Sequence, residues 1–339
     1  MNIRSAIEKL VNRVDLSEAE TIDIMNQIMT GEATPLQVAS FLTALRMKGE
    51  TVAEITGAAR VMREKANRVK VGSQTVLDTC GTGGDQKGTF NISTTSAFVV
   101  AGAGVVVAKH GNRSVSSQSG SADVLAALGV KVDAPKQRVE SCIEEIGIGF
   151  LFAPLLHEAM KYAVQPRRDI GIRTIFNLLG PLTNPAMASH QLIGLYDGGL
   201  VGAIARVLQN LGSKSAMVVH GMEGLDEISV CGPTQVAELR DGRIREYTLE
   251  PEGLGLKRSR LEELQGGTPE QSAAIVRNVL RGGQGATRDI VLLNSGAALY
   301  VSGTAASIEE GMRIAAESID SGKARQKLEL LVQMTNADG

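Results

Sequence analysis

Residues 75–113 read TVLDTCGTGGDQKGTFNISTTSAFVVAGAGVVVAKHGNR. Thr75 to Cys80 is a β-type run that ends in glycines, and Ala97 to Ala103 has the make-up of a helix body. Val105 to Ala108 is a continuous β-branched run, as expected of a parallel strand buried on both faces. Lys109 to Arg113 follow at that strand's carboxyl end, where open α/β sheets bind their ligands. The alternation continues downstream. Gln191 to Leu195, Ala216 to His220 and Ile290 to Leu293 read as strands, and Ser121 to Leu128, Leu200 to Leu211, Pro269 to Leu280 and Ile308 to Ile319 as helices. This pattern predicts an α/β domain with a mostly parallel central sheet.

Upstream the pattern is helical throughout. Ile3, Ile7, Leu10, Val11 and Val14 recur at helical spacing. Ser17 to Glu20 and Thr34 to Gln37 are capping boxes, the second with Pro35 at the first helical position. Thr51 starts a fourth helix carrying Ile55, Ala58, Ala59 and Met62. Residues 1–70 are therefore expected to form a small all-helical domain and residues 71–339 a large α/β domain. Part of 160–188 is expected to return to the bundle. The bundle's Met and Ile positions fit either internal packing or a partner chain.

Composition narrows the function. The 339 residues hold 35 Lys+Arg against 37 Asp+Glu, a net charge of -2. No basic footprint marks a nucleic-acid binder, and six Phe, four Tyr and no Trp leave few platforms for stacking bases. Cys80, Cys142 and Cys231 are odd in number and widely spaced, which argues against a disulfide framework or zinc site and for a reducing compartment. The apolar stretch from Ala97 to Ala108 is well short of the ~20 residues of a membrane span. The first residues lack the apolar core of a signal peptide. No membrane partner and a cytoplasmic location are expected. Glycine supplies 38 residues against a usual ~7%, which fits many βα turns or a ligand cradled by backbone.

The chemistry concentrates between Asp78 and Asp123. Gly81-Thr82-Gly83-Gly84-Asp85 follows a predicted strand, where glycines let backbone N–H groups approach an anion. A third glycine of the dinucleotide fingerprint would fall at Gln86, and no Walker Lys-Ser/Thr pair follows. The loop alone is equally compatible with a plain βα turn. Thr89, Asn91, Ser93, Thr94, Thr95 and Ser96 crowd the next helix start, more hydroxyls than one N-cap uses. With Lys109, Arg113, Ser114, Ser116, Ser117, Ser119 and Ser121 they suggest a polyphosphate or phosphosugar cradle. Asp226 and Glu227, just past a strand ending at His220, suit Mg²⁺, which takes few protein ligands and completes its shell with phosphate and water. Gln165 to Arg173 carries three arginines that could fork onto a carboxylate or simply lie on the surface. His157 and His190 read as structural.

The stretches DTCGTGGD (78–85), NISTTS (91–96), KHGNRSVSS (109–117), GIRTIFNLLGPLTN (171–184) and HGMEGLDE (220–227), in this order, resemble the anthranilate phosphoribosyltransferase family. The likeness runs essentially the whole chain, down to RDIVLLNSGAALY at 288–300. The chain departs from the family's habit at Glu158, where Pro is commoner, and at Pro166. The resemblance implies a nucleoside phosphorylase/phosphoribosyltransferase-like fold and coupling of anthranilate to 5-phosphoribosyl 1-diphosphate in tryptophan biosynthesis. It implies that Gly81, Gly84, Asp85, Thr89, Asn91, Ile92, Ser93, Thr94, Lys109, His110, Gly111, Asn112, Arg113, Ser114, Val115, Ser116, Ser117 and Ser121 hold the diphosphate. It implies that Gly81, Asn112 and Arg167 hold anthranilate. Ser93, Asp226 and Glu227 would bind Mg²⁺, two ions per subunit. A homodimer through the helical domain is implied as well.

Anthranilate's amine is an aniline, unprotonated at neutral pH, so a site without an evident His or Glu base is adequate. The work falls to positioning and to stabilising the departing pyrophosphate, with Lys109 and Asn112 as the polar groups closest to that task. Two other readings stand beside this one. A pyrimidine-nucleoside phosphorylase shares the architecture and a similar glycine loop. A non-enzymatic nucleic-acid-binding relative of the fold fits less well with intact Asp226-Glu227 and a near-neutral chain.

Overall fold

The computed structural model describes residues 1–114 and 118–337. Four helices open the chain: α1 (Ile3–Val11), α2 (Glu18–Met29), α3 (Pro35–Lys48) and α4 (Val52–Lys65). Helices α2, α3 and α4 each start at a reciprocal capping box, on Ser17 with Glu20, Thr34 with Gln37 and Thr51 with Glu54. Each box satisfies two orphan N–H groups of a helix start. α1 packs on α3 and α2 on α4. Their corner is held by buried Glu54, which accepts from Leu16 N at 2.9 Å and pairs with Lys48 Nζ at 2.9 Å.

The rest is organised around one seven-stranded sheet. In chain order come β1 (Leu77–Asp78), α5 (Ile92–Gly102), β2 (Val107–Gly111), α6 (Ser121–Leu128), α7 (Lys136–Ile146) and β3 (Ile148–Phe152). Three short or bent helices follow: α8 (Ala153–Leu156), α9 (Lys161–Ile170) and α10 (Phe176–Leu179). Then come β4 (His190–Gly194), α11 (Val201–Asn210), β5 (Ser215–Gly221), β6 (Thr234–Arg240) and β7 (Arg243–Leu249), and finally α12 (Pro269–Leu280), α13 (Ala286–Val301), α14 (Ile308–Asp320) and α15 (Lys323–Asn336). The strand order is β3-β2-β1-β4-β5-β6-β7. The first five strands of the chain run parallel, β6 pairs antiparallel with β5, and β7 antiparallel with β6. The chain reverses its direction of travel across the sheet between β1 and β4, and that reversal opens a ligand crevice at the strands' carboxyl ends.

Side chains alternate between the two faces, as a strand demands. Leu192, Met217, Val219 and Val236 point to a core shared with α5, α12, α13, α14 and α15. Ile193, Ala216, Val218, Ala237 and Leu239 point to another that contains α11 and, continuously with it, the apolar side chains of α1 to α4. The helical bundle is thus the cover of one sheet face. Arg60 and Arg63 of α4 secure it, donating to Asn210 O at 2.8 Å and to Leu182 O at 2.7 Å. α9 lies on α2 and α3, and α10 on α4.

Three sequence expectations are corrected. Ile290 to Leu293 is no strand but the middle of α13, a helix buried on nearly every side; a short apolar run carries no period that separates the two. The strand expected over 75–80 contracts to Leu77–Asp78, and the one expected from Val105 begins at Val107. Strands β3, β6 and β7 have no counterpart among the expected elements. The β6–β7 hairpin turns on Asp241 and Gly242, with φ of +50° and +70°, the Asp-Gly signature of a tight two-residue turn.

Candidate active site

The loop after β1 is built onto the ends of β4 and β5. Thr82 N donates to Gly194 O at 2.9 Å, and Gly83 N donates to Asp226 Oδ2 at 2.8 Å. Only glycine fits at 194, because a Cβ there would run into the Asp226 carbonyl. Gly84 takes a φ of +76°, which turns the loop back outward. Asp85 Oδ1 accepts from Lys87 N at 3.1 Å, while its buried Oδ2 has no partner among the described residues. Residues 261–268 strap the loop from outside: Phe90 N donates to Leu264 O and Gly266 N to Gly88 O, both at 2.9 Å, and Thr89 bridges to Gln265.

α5 aims its N-terminus at the same cleft. Ser93 N donates to Glu227 Oε1 at 3.1 Å. Ile92 and Thr94 are buried, so these two can offer the cleft only their backbone. Buried Lys109 donates to Thr79 O at 2.9 Å, with Ser93 Oγ at 3.4 Å. Beneath it lies Asp78, fully buried, which accepts from His110 N at 3.1 Å and from Asn184 Nδ2 at 2.7 Å. Burial pushes the Asp78 carboxyl up to about 6 against the pull of Lys109.

The β2–α6 loop is closed by a residue given no role from sequence. Asp123 pairs with Arg113 Nη1 at 2.9 Å and accepts from Ser114 N and Gly120 N, both at 3.0 Å. Ser121 Oγ donates to Asn112 O at 3.2 Å, and Asn112 itself is exposed. The expected contacts of Val115, Ser116 and Ser117 lie outside the described residues.

Asp226 and Glu227 stand at the centre, reachable from the cleft. Burial, and next the Asp85 carboxylate, holds Asp226 well above the usual carboxylate range; burial and then Asp226 do the same to Glu227. Three carboxylates that repel one another, one with an orphaned oxygen, are an arrangement a divalent cation relieves. Among the described residues no His, Cys, Asp or Glu cluster forms a protein-only metal cage. Most of a bound ion's shell would then come from water or ligand oxygen, as Mg²⁺ prefers.

A second group of residues lies outside this web: Arg167 of α9, Phe176 of α10, His110 of β2 and His157 after α8. The half-buried Arg167 guanidinium lies 5.2 Å from the Phe176 ring centroid and makes no ion pair among the described residues. Burial draws its pKa down. His110 and His157 pack with centroids 5.1 Å apart. Burial lowers them to about 3 and about 4, so both are neutral at pH 7. Each has a buried Nε2 with no partner among the described residues. His157 therefore looks into the interior with unmet hydrogen-bonding capacity, where its sequence context suggests only a structural place. Gly81, Asp85, Ser93, Lys109, Asp226 and Glu227 form one contact web; Arg167 stands apart from it.

Residues 4–66 match the model of the glycosyl transferase family's helical bundle domain, and residues 73–325 that of its a/b domain. The chain is 55% identical to the anthranilate phosphoribosyltransferase of Geotalea uraniireducens, covering 98% of this chain and 99% of that one. Its structure is similar to the crystal structure of that enzyme from Thermus thermophilus, with a TM-score of 0.93 at 45% identity over 98% of this chain and 99% of the other. It is also similar to the Saccharomyces cerevisiae enzyme in complex with PRPP and Mg, with a TM-score of 0.89 at 29% identity over 98% and 97%.

Proposed function

This chain belongs to the anthranilate phosphoribosyltransferase family and transfers the phosphoribosyl group of 5-phosphoribosyl 1-diphosphate to the amine of anthranilate in tryptophan biosynthesis; from that premise we propose which of its residues do the work. The relatives' shared name decides between this activity and the nucleoside phosphorolysis that the glycine loop left open.

The diphosphate lies against Gly81, Gly84, Asp85 and Thr89, the start of α5 from Asn91 to Thr94, and the segment from Lys109 to Ser117 with Ser121. Backbone N–H groups at a glycine turn and a helix start supply fixed dipoles where pyrophosphate charge develops. Lys109 makes no ion pair among the described residues, and its hydrogen-bond contacts there are Thr79 and Ser93, which leaves its amine directed at the start of α5. Ser93, Asp226 and Glu227 hold Mg²⁺, with two ions per subunit. When bound, the metal neutralises pyrophosphate oxygens as the leaving group departs. Asn112, Arg167 and the Gly81 backbone hold anthranilate, Arg167 through its carboxylate. No general base is assigned, because the attacking amine is already neutral. The observation that carries this reading is the stack of Asp85, Asp226 and Glu227 against a glycine loop and Lys109.

The helical domain (1–70, joined by part of 160–188) and the α/β domain (71–339) then carry different halves of the site. A homodimer through the helical domain is supported by its exposed large apolar side chains: Val11, Val14, Leu36 and Met47, with Tyr162 and Val164 of α9 nearby. Three free thiols support a cytoplasmic location. The described residues include no helix long and apolar enough to cross a membrane.

The direct test is loss of anthranilate fluorescence, which should require both 5-phosphoribosyl 1-diphosphate and Mg²⁺. A finer test uses pH. Raised carboxyl pKa values mean that protons compete with the cation near neutrality. The Mg²⁺ concentration for half-maximal rate should rise as pH falls from 8 to 6, by up to about tenfold per unit for each proton displaced. Excess Mg²⁺ should restore the rate. A flat Mg²⁺ requirement across that range would reject Asp226 and Glu227 as ligands.

A further inference from the structure

A glycine loop binds phosphate only if its amides converge, yet glycine resists deformation poorly. Gly83 and Gly84 both have positive φ, +63° and +76°, and Gly83 is exposed. The loop's inner side is pinned by Gly194 O and Asp226. On its outer side, Arg173 reaches it from residues 171–175, the link between α9 and α10. Arg173 Nη2 donates to the Gly84 carbonyl. The fit is close: a Cβ on Gly84 would stand 3.3 Å from that nitrogen. The guanidinium stacks on Tyr196, with Cζ 4.1 Å from the ring centroid. Tyr196 follows β4 and donates its own N–H to Thr82 Oγ1 at 3.2 Å. Thr82, Tyr196, Arg173 and Gly84 thus close a ring around the turn. Arg173 makes no ion pair among the described residues, and the Gly84 carbonyl and Tyr196 ring are its polar and ring contacts there.

We propose that Arg173, stacked on Tyr196, is a positioning residue that clamps the glycine loop in its phosphate-binding shape. It touches no reacting atom; by holding the Gly84 carbonyl it fixes the peptide plane between Gly84 and Asp85, and with it the direction of the Asp85 N–H. The guanidinium suits this role because it donates in a fixed plane while stacking on an aromatic face, which lysine does not do. The inference rests on the phosphate-loop assignment made above.

The test compares Arg173→Ala and Tyr196→Leu with the unmodified enzyme, measuring kcat, both KM values and the melting temperature. Arg173→Ala should raise KM for 5-phosphoribosyl 1-diphosphate roughly 10- to 100-fold, as loss of a charge-assisted bond does. Tyr196→Leu should shift it in the same direction by less. KM for anthranilate and the melting temperature should stay near their starting values. Parallel rises in both KM values, or no change in either, would overturn the clamp. If Arg173→Ala does not fold, Tyr196→Leu decides on the same criteria. Calorimetric binding of Mg²⁺-phosphoribosyl diphosphate to Gly84→Val, which distorts the loop at a positive-φ position, separates the two levels. Unaltered binding there removes the loop assignment and the clamp with it. Weakened binding there, with Arg173→Ala unaffected, removes the clamp alone.

Discussion

Replacing Asp226 by Asn and Glu227 by Gln together should lower turnover at least about a thousandfold at ordinary Mg²⁺, equivalent to ~4 kcal/mol of transition-state stabilisation. The fold should survive. Asn and Gln keep an acceptor oxygen for Gly83 N and Ser93 N, the two bonds that seat these side chains. The substitution also removes repulsion among Asp85, Asp226 and Glu227, whose raised pKa values mean that ionising them burdens the folded state. The melting temperature of the metal-free protein should therefore hold or rise while activity collapses. Near-normal turnover in Mg²⁺, measured by anthranilate fluorescence, would show that the metal is held elsewhere.

Arg167→Ala should raise KM for anthranilate by roughly 10- to 150-fold, the effect of losing a charge-assisted contact of about 1.5–3 kcal/mol. KM for the phosphoribosyl substrate should move far less. Arg167 is suited to this because its guanidinium is partly desolvated over Phe176 and is not neutralised by a neighbouring carboxylate among the described residues. An incoming carboxylate would be its first counter-charge. Steady-state kinetics with each substrate varied in turn decides the matter. Equal shifts in both constants would mean that α9 merely supports the fold at that point.

What the sequence made legible was local or strongly patterned. Two capping boxes announced α2 and α3 and are formed as read, and the helix start read at Thr51 proves to be a third. The glycine loop could be located because a strand ran straight into it. Ile290 to Leu293 misled because β-branched residues in a fully buried helix look like a buried strand over four positions. The supporting contacts were illegible for a different reason. Arg173 and Gly84 lie 89 residues apart, and Asn184 and Asp78 lie 106 apart. No spacing rule connects such pairs; only the sheet order, which sets β1 beside β4, brings them together. Asp123 had no role legible in the sequence, because its three contacts to the preceding loop depend on that loop's path.

The apolar interior that runs unbroken from the helical bundle to one sheet face has a consequence for heredity and abundance. A residue such as Phe41, fully buried in α3, has no assigned contact with either substrate. Truncating it to alanine would still cost about 3–5 kcal/mol, a large share of the roughly 5–15 kcal/mol by which a typical domain stays folded. Because the sheet shares that interior, the loss would be felt by the chain as a whole. In a growing cell such a lesion would present as tryptophan dependence caused by too few surviving molecules, each of normal competence. Cooling the culture should relieve it, and raising the substrate supply should not.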